Sequence, residues 1–296
     1  MQTLFAFYKN NNGDLKTSEK ELLFSLQKSY DLYILSLLLI TQLTSYRKKL
    51  IDKRKNKLSP TPEDLNPDMR MVNNRLAAQL EINETLWKVC ADRKVSWEDD
   101  SDFIKKIYNK IVESSYYLDY LTSEEDNYEI DRKFWVTVFK KLILNNEDID
   151  EFFEEKSIYW NDDINIVQSF VIKTLKKFEE ENKGKQEILP MFKDMEDKAF
   201  AVKLFRQSLL TSKETKETIN KHIKNWESER VAQMDLLIMQ IAITEIITFT
   251  SIPTRVSLNE YINLAKCYST PKSGKFINGI LDSIVKELKS NGVITE

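Results

Sequence analysis

An all-α fold is what this sequence predicts, on three observations. Only 5 Gly and 6 Pro occur among 296 residues, too few for the many tight turns of sandwiches, barrels and Gly-rich nucleotide-binding sheets. Apolar side chains recur at helical spacing along most of the chain. At 42% apolar residues there is enough hydrocarbon for one large core or two of ordinary size.

Taken in order, residues 19–46 place Leu22, Leu23, Leu26, Tyr30, Tyr33, Ile34, Leu37, Leu38 and Ile40 close to the i, i+3, i+4, i+7 pattern of one long buried helix. Pro60, Pro62 and Pro67 then break it, since proline lacks the amide proton and clashes with the preceding turn. Further helices are expected over about 70–91, 101–121, 131–145, 163–182 and 190–210, separated by acidic or polar clusters such as 97–100 and 145–148, with Ser101 and Asp162 as N-caps. Residues 211–229 form an amphipathic Lys/Glu-rich segment, and 231–249 are apolar almost all round, as a central buried helix requires. Pro253 and Pro271 mark boundaries, with helices over 258–268, opened by Ser257 or Asn259, and over 275–290.

The net charge of −3 excludes a bulk basic footprint, but charge is unevenly placed. Residues 1–60 hold 11 Lys+Arg against 5 Asp+Glu, residues 61–198 hold 20 against 32, and residues 199–296 hold 13 against 10. This suggests N-terminal helices (1–60) and a C-terminal core (199–296) packing as one basic unit around an acidic helical insertion (61–198). The densest run is Arg47, Lys48, Lys49, Lys53, Arg54, Lys55 and Lys57, more cations than a helix C-terminus needs. A solvated helix end and a phosphate-binding strip are both open for it.

Several chemistries lack their residues. Five scattered glycines form neither GxGxxG nor GxxxxGK[ST], the backbone cradles of dinucleotide and P-loop sites. Cys90, Cys267 and His222 cannot make a zinc set, so no metal or cofactor is expected. His222, beside two lysines, reads as a surface residue and Cys267 as a buried inert thiol. No basic-then-apolar leader opens the chain, and the apolar stretch 32–43 is interrupted by Ser36, Thr41 and Gln42. The expectation is therefore a cytoplasmic chain without a membrane span. Nothing demands an enzyme.

One stretch is distinctive: Ile252-Pro253-Thr254-Arg255-Val256-Ser257-Leu258-Asn259-Glu260-Tyr261-Ile262-Asn263-Leu264-Ala265-Lys266, then Ser273-Gly274-Lys275-Phe276-Ile277-Asn278-Gly279-Ile280-Leu281-Asp282. Its spacing gives a core face of Leu258, Ile262 and Ala265, then another of Phe276, Ile280, Val285 and Leu288. Gly279 is read as a close backbone approach and Asn278 as a buried amide. The loop Thr270 to Lys275 puts two lysines, a serine and a glycine at a helix N-terminus, where amides and cations can meet a phosphate. Phe276 follows as a ring able to meet a base, though a core role is the simpler reading.

These residues resemble the C-terminal pattern of the NusB family of transcription antitermination factors, roughly IPxxVxINExxxLAKxF followed by SxxFVNGxLD. The likeness extends upstream through Trp226, Val231, Asp235, Ile238, Ile241, Ala242, Glu245 and Ile246, and the opening Met1-Gln2-Thr3-Leu4-Phe5-Ala6-Phe7 is similar to the family's first helix. Family members usually carry an arginine-rich segment just before this point, so the resemblance leaves open whether the true start lies upstream of Met1.

What the resemblance implies is a NusB-like helical bundle with extra helices inserted between the first helix region and the C-terminal half. It further implies a non-catalytic factor binding boxA-type single-stranded RNA together with a ribosomal protein acting as NusE, and acting on the RNA polymerase elongation complex. The RNA side would hold Gln2, Phe5, Lys272, Ser273 and Lys275, joined by Phe276; Glu229 and Asp235 would face the basic protein partner. The alternative is a helical scaffold that kept the fold without RNA binding. The same fold also precedes some ribosomal RNA cytosine methyltransferases, but the chain has no Gly-rich cofactor site and no catalytic cysteine motif, which leaves only ancestry.

Overall fold

A computed structural model describes residues 1–10, 14–223 and 231–294, and every regular element among them is helical. Two compact units emerge, one of residues 1–24 with 192–296 and one of residues 25–191. After α1 (Gln2–Lys9), Asp14 caps α2 (Leu15–Lys55) by accepting from the Thr17 amide at 2.9 Å.

Residues 31–41 of α2 are all buried, each aliphatic side chain contributing about 1.5–3 kcal/mol. By length and composition α2 could cross a membrane; its apolar middle instead lies in the core of the second unit. A helix buried on every side needs partners all round, and residues 61–191 supply them. The cut expected after Pro60 is thus not where the units divide, and residues 25–60 pack with the acidic middle.

The second unit continues with α3 (Pro62–Leu65), α4 (Arg75–Glu81), α5 (Glu84–Arg93), α6 (Ser101–Val112), α7 (Ser115–Thr122), α8 (Tyr128–Val138), α9 (Glu147–Lys156) and α10 (Ile164–Lys176). The helix expected over 70–91 is split because Asn83, fully buried, caps α5 through the Leu86 amide at 2.8 Å and donates to Gln186 O at 2.7 Å. Ser114 likewise accepts from the Tyr117 amide at 3.2 Å and divides 101–121.

The caps expected at Ser101 and Asp162 fall at Asp100 and Asp163, neither with a side-chain cap bond. Helix α9 begins inside the polar cluster at 145–148, which the sequence predicts as a separator. Glu147, Asp148 and Asp150 instead complement its N-terminal dipole, while Ile149 and Phe153 bury one face. A π-turn, Phe139–Ile143, extends α8 and closes at Asn145 in the left-handed region.

The core of this unit is aromatic: Trp97 stacks on Phe103 at 5.5 Å and donates to Leu35 O at 2.9 Å. Its polar centre is Asp131, almost fully buried, which accepts from Tyr120 Oη at 2.7 Å and from the Arg75 amide and guanidinium, each at 2.9 Å.

The first unit is completed by α11 (Met195–Leu210), α12 (Ser212–Ile223), α13 (Gln233–Thr248), α14 (Thr254–Tyr268) and α15 (Ser273–Ser290). Helix α13 is central and packs against the other four, as its all-round apolarity predicts; residues 237–246 are buried without a break. Pro253 itself caps α14, four residues earlier than the expected opening at Ser257. A proline fits there because a first-turn amide needs no intrahelical partner. Helix α1 is tied in by Leu4 and by Tyr8, whose hydroxyl donates to Ser212 Oγ at 2.9 Å and accepts from Gln240 Nε2 at 2.7 Å.

Candidate nucleic-acid interface

Two carboxylates on otherwise apolar α13 position the helices around it. Glu245, buried, accepts the Tyr261 hydroxyl at 2.6 Å and so joins α13 to α14. Burial pushes the Tyr261 phenol far above its ordinary range, and the Glu245 charge adds to that. Asp235, also buried, accepts from Ser269 and from Ser273 Oγ at 2.8 Å. Ser273 Oγ further lies 3.0 Å from Ser269 Oγ and 2.8 Å from Thr270 Oγ1. This hydroxyl–carboxylate cluster fixes the loop between α14 and α15.

Gly274 completes that fixation. A Cβ there would come within 3.2 Å of Lys266 Cγ, so the first turn of α15 lies directly against α14. The close approach expected at Gly279 is not found, because nothing lies within 4 Å of its would-be Cβ. Asn278 is exposed rather than buried, since the inward face of α15 runs through Ile277, Ile280, Leu281, Ile284 and Val285. On α14 the deepest residues are Ser257, Tyr261 and Ala265, so Leu258 and Ile262 sit at the margin of the core.

The expected contact residues divide. Lys272 and Lys275 are exposed on either side of the buried Ser273, and Gln2 is exposed on α1. Phe5 and Phe276 are half-buried and border the same apolar cluster, with Lys9 Nζ 5.4 Å from the Phe5 ring centre.

Ser273 and Asp235 occupy other places than expected. Both are removed from solvent, and each satisfies the other, so neither side chain faces a phosphate or a protein partner. Spacing alone could not reveal this, because a serine at a helix start reads equally as cap, ligand or core hydroxyl. Trp226 and Glu229 lie outside the described residues. The Tyr261–Glu245 pair is not legible in spacing; an acid amid the apolar run of α13 is its one signal.

His222 and Cys267 also differ from what their neighbours in sequence predict. The His222 imidazole is only 10% exposed, its Nδ1 2.9 Å from Thr218 O and its Nε2 3.1 Å from Glu287 Oε2. It is an α12–α15 contact rather than a solvated side chain. The Lys221 ammonium, 2.6 Å away, holds the Glu287 carboxyl below its usual range. Cys267 is exposed, not buried, whereas Cys90 is buried and its thiol is pushed up to about 11. Among the described residues no cluster of three or more His, Cys, Asp or Glu could hold a metal ion.

Comparison with known proteins places this region. The model of the NusB family matches residues 162–286. The chain is 42% identical over 104 residues to the transcription antitermination protein NusB of Salinibacter ruber, covering 35% of this chain and 65% of that protein. To the protein of the same name from Chloroherpeton thalassium it is 43% identical over 101 residues, 34% of this chain and 48% of that one. To that from Dictyoglomus turgidum it is 42% identical over 103 residues, 34% of this chain and 72% of that one. The chain thus spans from about half to under three quarters of these relatives. No solved structure gave a significant match.

Proposed function

The chain belongs to the NusB family, and from that premise we propose that it is a non-catalytic, RNA-binding transcription antitermination factor of the cytoplasm. It binds boxA-type single-stranded RNA together with a ribosomal protein acting as NusE, and the pair acts on the RNA polymerase elongation complex. The observation that carries this reading is the 42% identity, over about a hundred residues, to relatives named transcription antitermination protein NusB.

The geometry suits a binding platform. Lys272, just before α15, and Lys275, in its first turn, flank a loop end that Asp235 and Ser273 hold from beneath, so two cations stand at a helix N-terminus where the dipole favours a phosphate. Asp235 opposes them in part, because its buried charge lies within hydrogen-bonding distance of α15. This moderates the site and leaves affinity to depend on the lysines. In this reading the half-buried rings of Phe5 and Phe276 and the exposed Gln2 are the contacts for bases. Asp235 therefore acts as a positioning residue rather than as a contact for the ribosomal-protein partner.

Binding of a 12-nucleotide boxA-like RNA, with and without NusE, at two salt concentrations tests this. Lys272→Gln with Lys275→Gln should flatten the slope of log K against log salt by about 1.4, at about 0.7 per lost single-strand contact. Wild-type protein that binds no RNA even with NusE present would overturn the reading and favour a scaffold role.

A further inference from the structure

The run of cations closing α2 stands outside the region that matches the NusB family model, and the site above does not use it. Two of its seven members are bonded to neighbouring segments. Arg47 donates to Tyr108 Oη at 3.1 Å and to Asp68 O at 3.2 Å, and Lys57 pairs with Asp64 at 2.9 Å. Asp64 in turn belongs to the reciprocal cap of α3, accepting from the Thr61 amide at 3.2 Å while its own amide donates to Thr61 Oγ1. These contacts pin the helix end on both sides. The other five, Lys48, Lys49, Lys53, Arg54 and Lys55, are all exposed, and among the described residues none forms an ion pair.

Chance does not place them well. Residues 25–191 hold 26 Lys+Arg against 31 Asp+Glu, yet within 47–57 Asp52 is the one acid. The helix macrodipole accounts for cations in the last turn, but Lys48 and Lys49 stand two turns from the end. Lys49 and Lys53 are four residues apart, a rise of about 6 Å. They form a row on the solvent side, opposite buried Ile51. No aromatic side chain is exposed among them, so the strip lacks the anchors by which protein partners are gripped. What remains is a repeating positive charge on a rigid rod, which fits a phosphate backbone.

We propose that the end of α2 is a second, sequence-independent RNA-binding strip, which takes the phosphates of the transcript flanking the specifically bound element. It rests on the RNA-binding reading above and adds to it a surface on the unit of residues 25–191.

The test uses the full chain and two probes, a 12-nucleotide boxA-like RNA and the same RNA extended by 20 uridines. The extended RNA should bind more tightly to wild type. The variant Lys48→Gln, Lys49→Gln, Lys53→Gln alters only exposed side chains. It should leave the short RNA unaffected and lose the gain, by about 100-fold in 0.1 M salt, with a salt slope lower by about 2. Equal binding of both probes by wild type would overturn the strip while leaving the proposed function intact. Failure of wild type to bind either probe would overturn both. Loss of poly-glutamate binding by the variant with no change for RNA would assign the strip to an acidic protein and overturn the proposal.

Discussion

Asp235 takes two hydroxyls in a place almost closed to water, so its removal takes away the charged acceptor that Ser269 and Ser273 share and leaves them only each other and Thr270. Asp235→Ala should lower stability by about 2–3 kcal/mol, read from chemical denaturation. In the same measurement Lys272→Gln should be neutral within about 0.5 kcal/mol, as an exposed substitution is.

A second residue-scale effect is alkaline. Burial raises the Tyr33 phenol to about 12, above its value of about 10 in an unfolded chain. The folded state therefore keeps this proton longer than the unfolded state does. The corresponding stability is intact below pH 10 and is lost as pH rises toward 12, amounting to about 2–3 kcal/mol. Denaturation of Tyr33→Phe across that window should show a shallower fall than wild type; identical slopes would contradict the assignment.

At the scale of elements, the sequence announced helices more surely than their ends. Periodicity located α2, α13 and α15 because long apolar faces are redundant signals. It missed the breaks at Asn83 and Ser114 because a cap is one side chain, and asparagine or serine within a helical pattern looks like any polar position. It missed α9 because acids that serve a helix N-terminus resemble a loop.

Two backbone positions carry element-scale predictions. Lys94 closes α5 in the left-handed region at φ 55°, which costs a residue with a Cβ, so Lys94→Gly should stabilise by about 0.5–1 kcal/mol. Gly184 is the reverse case: a Cβ would stand 2.5 Å from the Ile82 carbonyl oxygen. Because a backbone atom cannot rotate away, Gly184→Ala should destabilise by at least about 1 kcal/mol. Thermal melting of each variant checks both signs.

For the whole molecule, scarcity of glycine and proline sufficed for the fold class, and the family pattern at 252–282 marked the family's C-terminal region. The site was legible only in its charged rim. Lys272 and Lys275 could be named from a loop at a helix start, whereas the burial of Ser273 depends on Asp235, 38 residues earlier, a relation no local pattern contains. The charge asymmetry pointed to an acidic middle but misplaced the boundary, since α2 from Ser25 onward belongs by charge to the ends and by packing to the centre.

The role proposed for this chain is to act with RNA and a ribosomal protein in carrying polymerase past termination. Its most direct test is a reconstituted transcription reaction on a template bearing boxA ahead of a terminator, with purified RNA polymerase and NusE. Adding this protein should raise the fraction of full-length transcript, mutation of boxA should abolish the rise, and Lys272→Gln with Lys275→Gln should reduce it. Read-through unchanged by the protein, with NusE present and boxA intact, would contradict it.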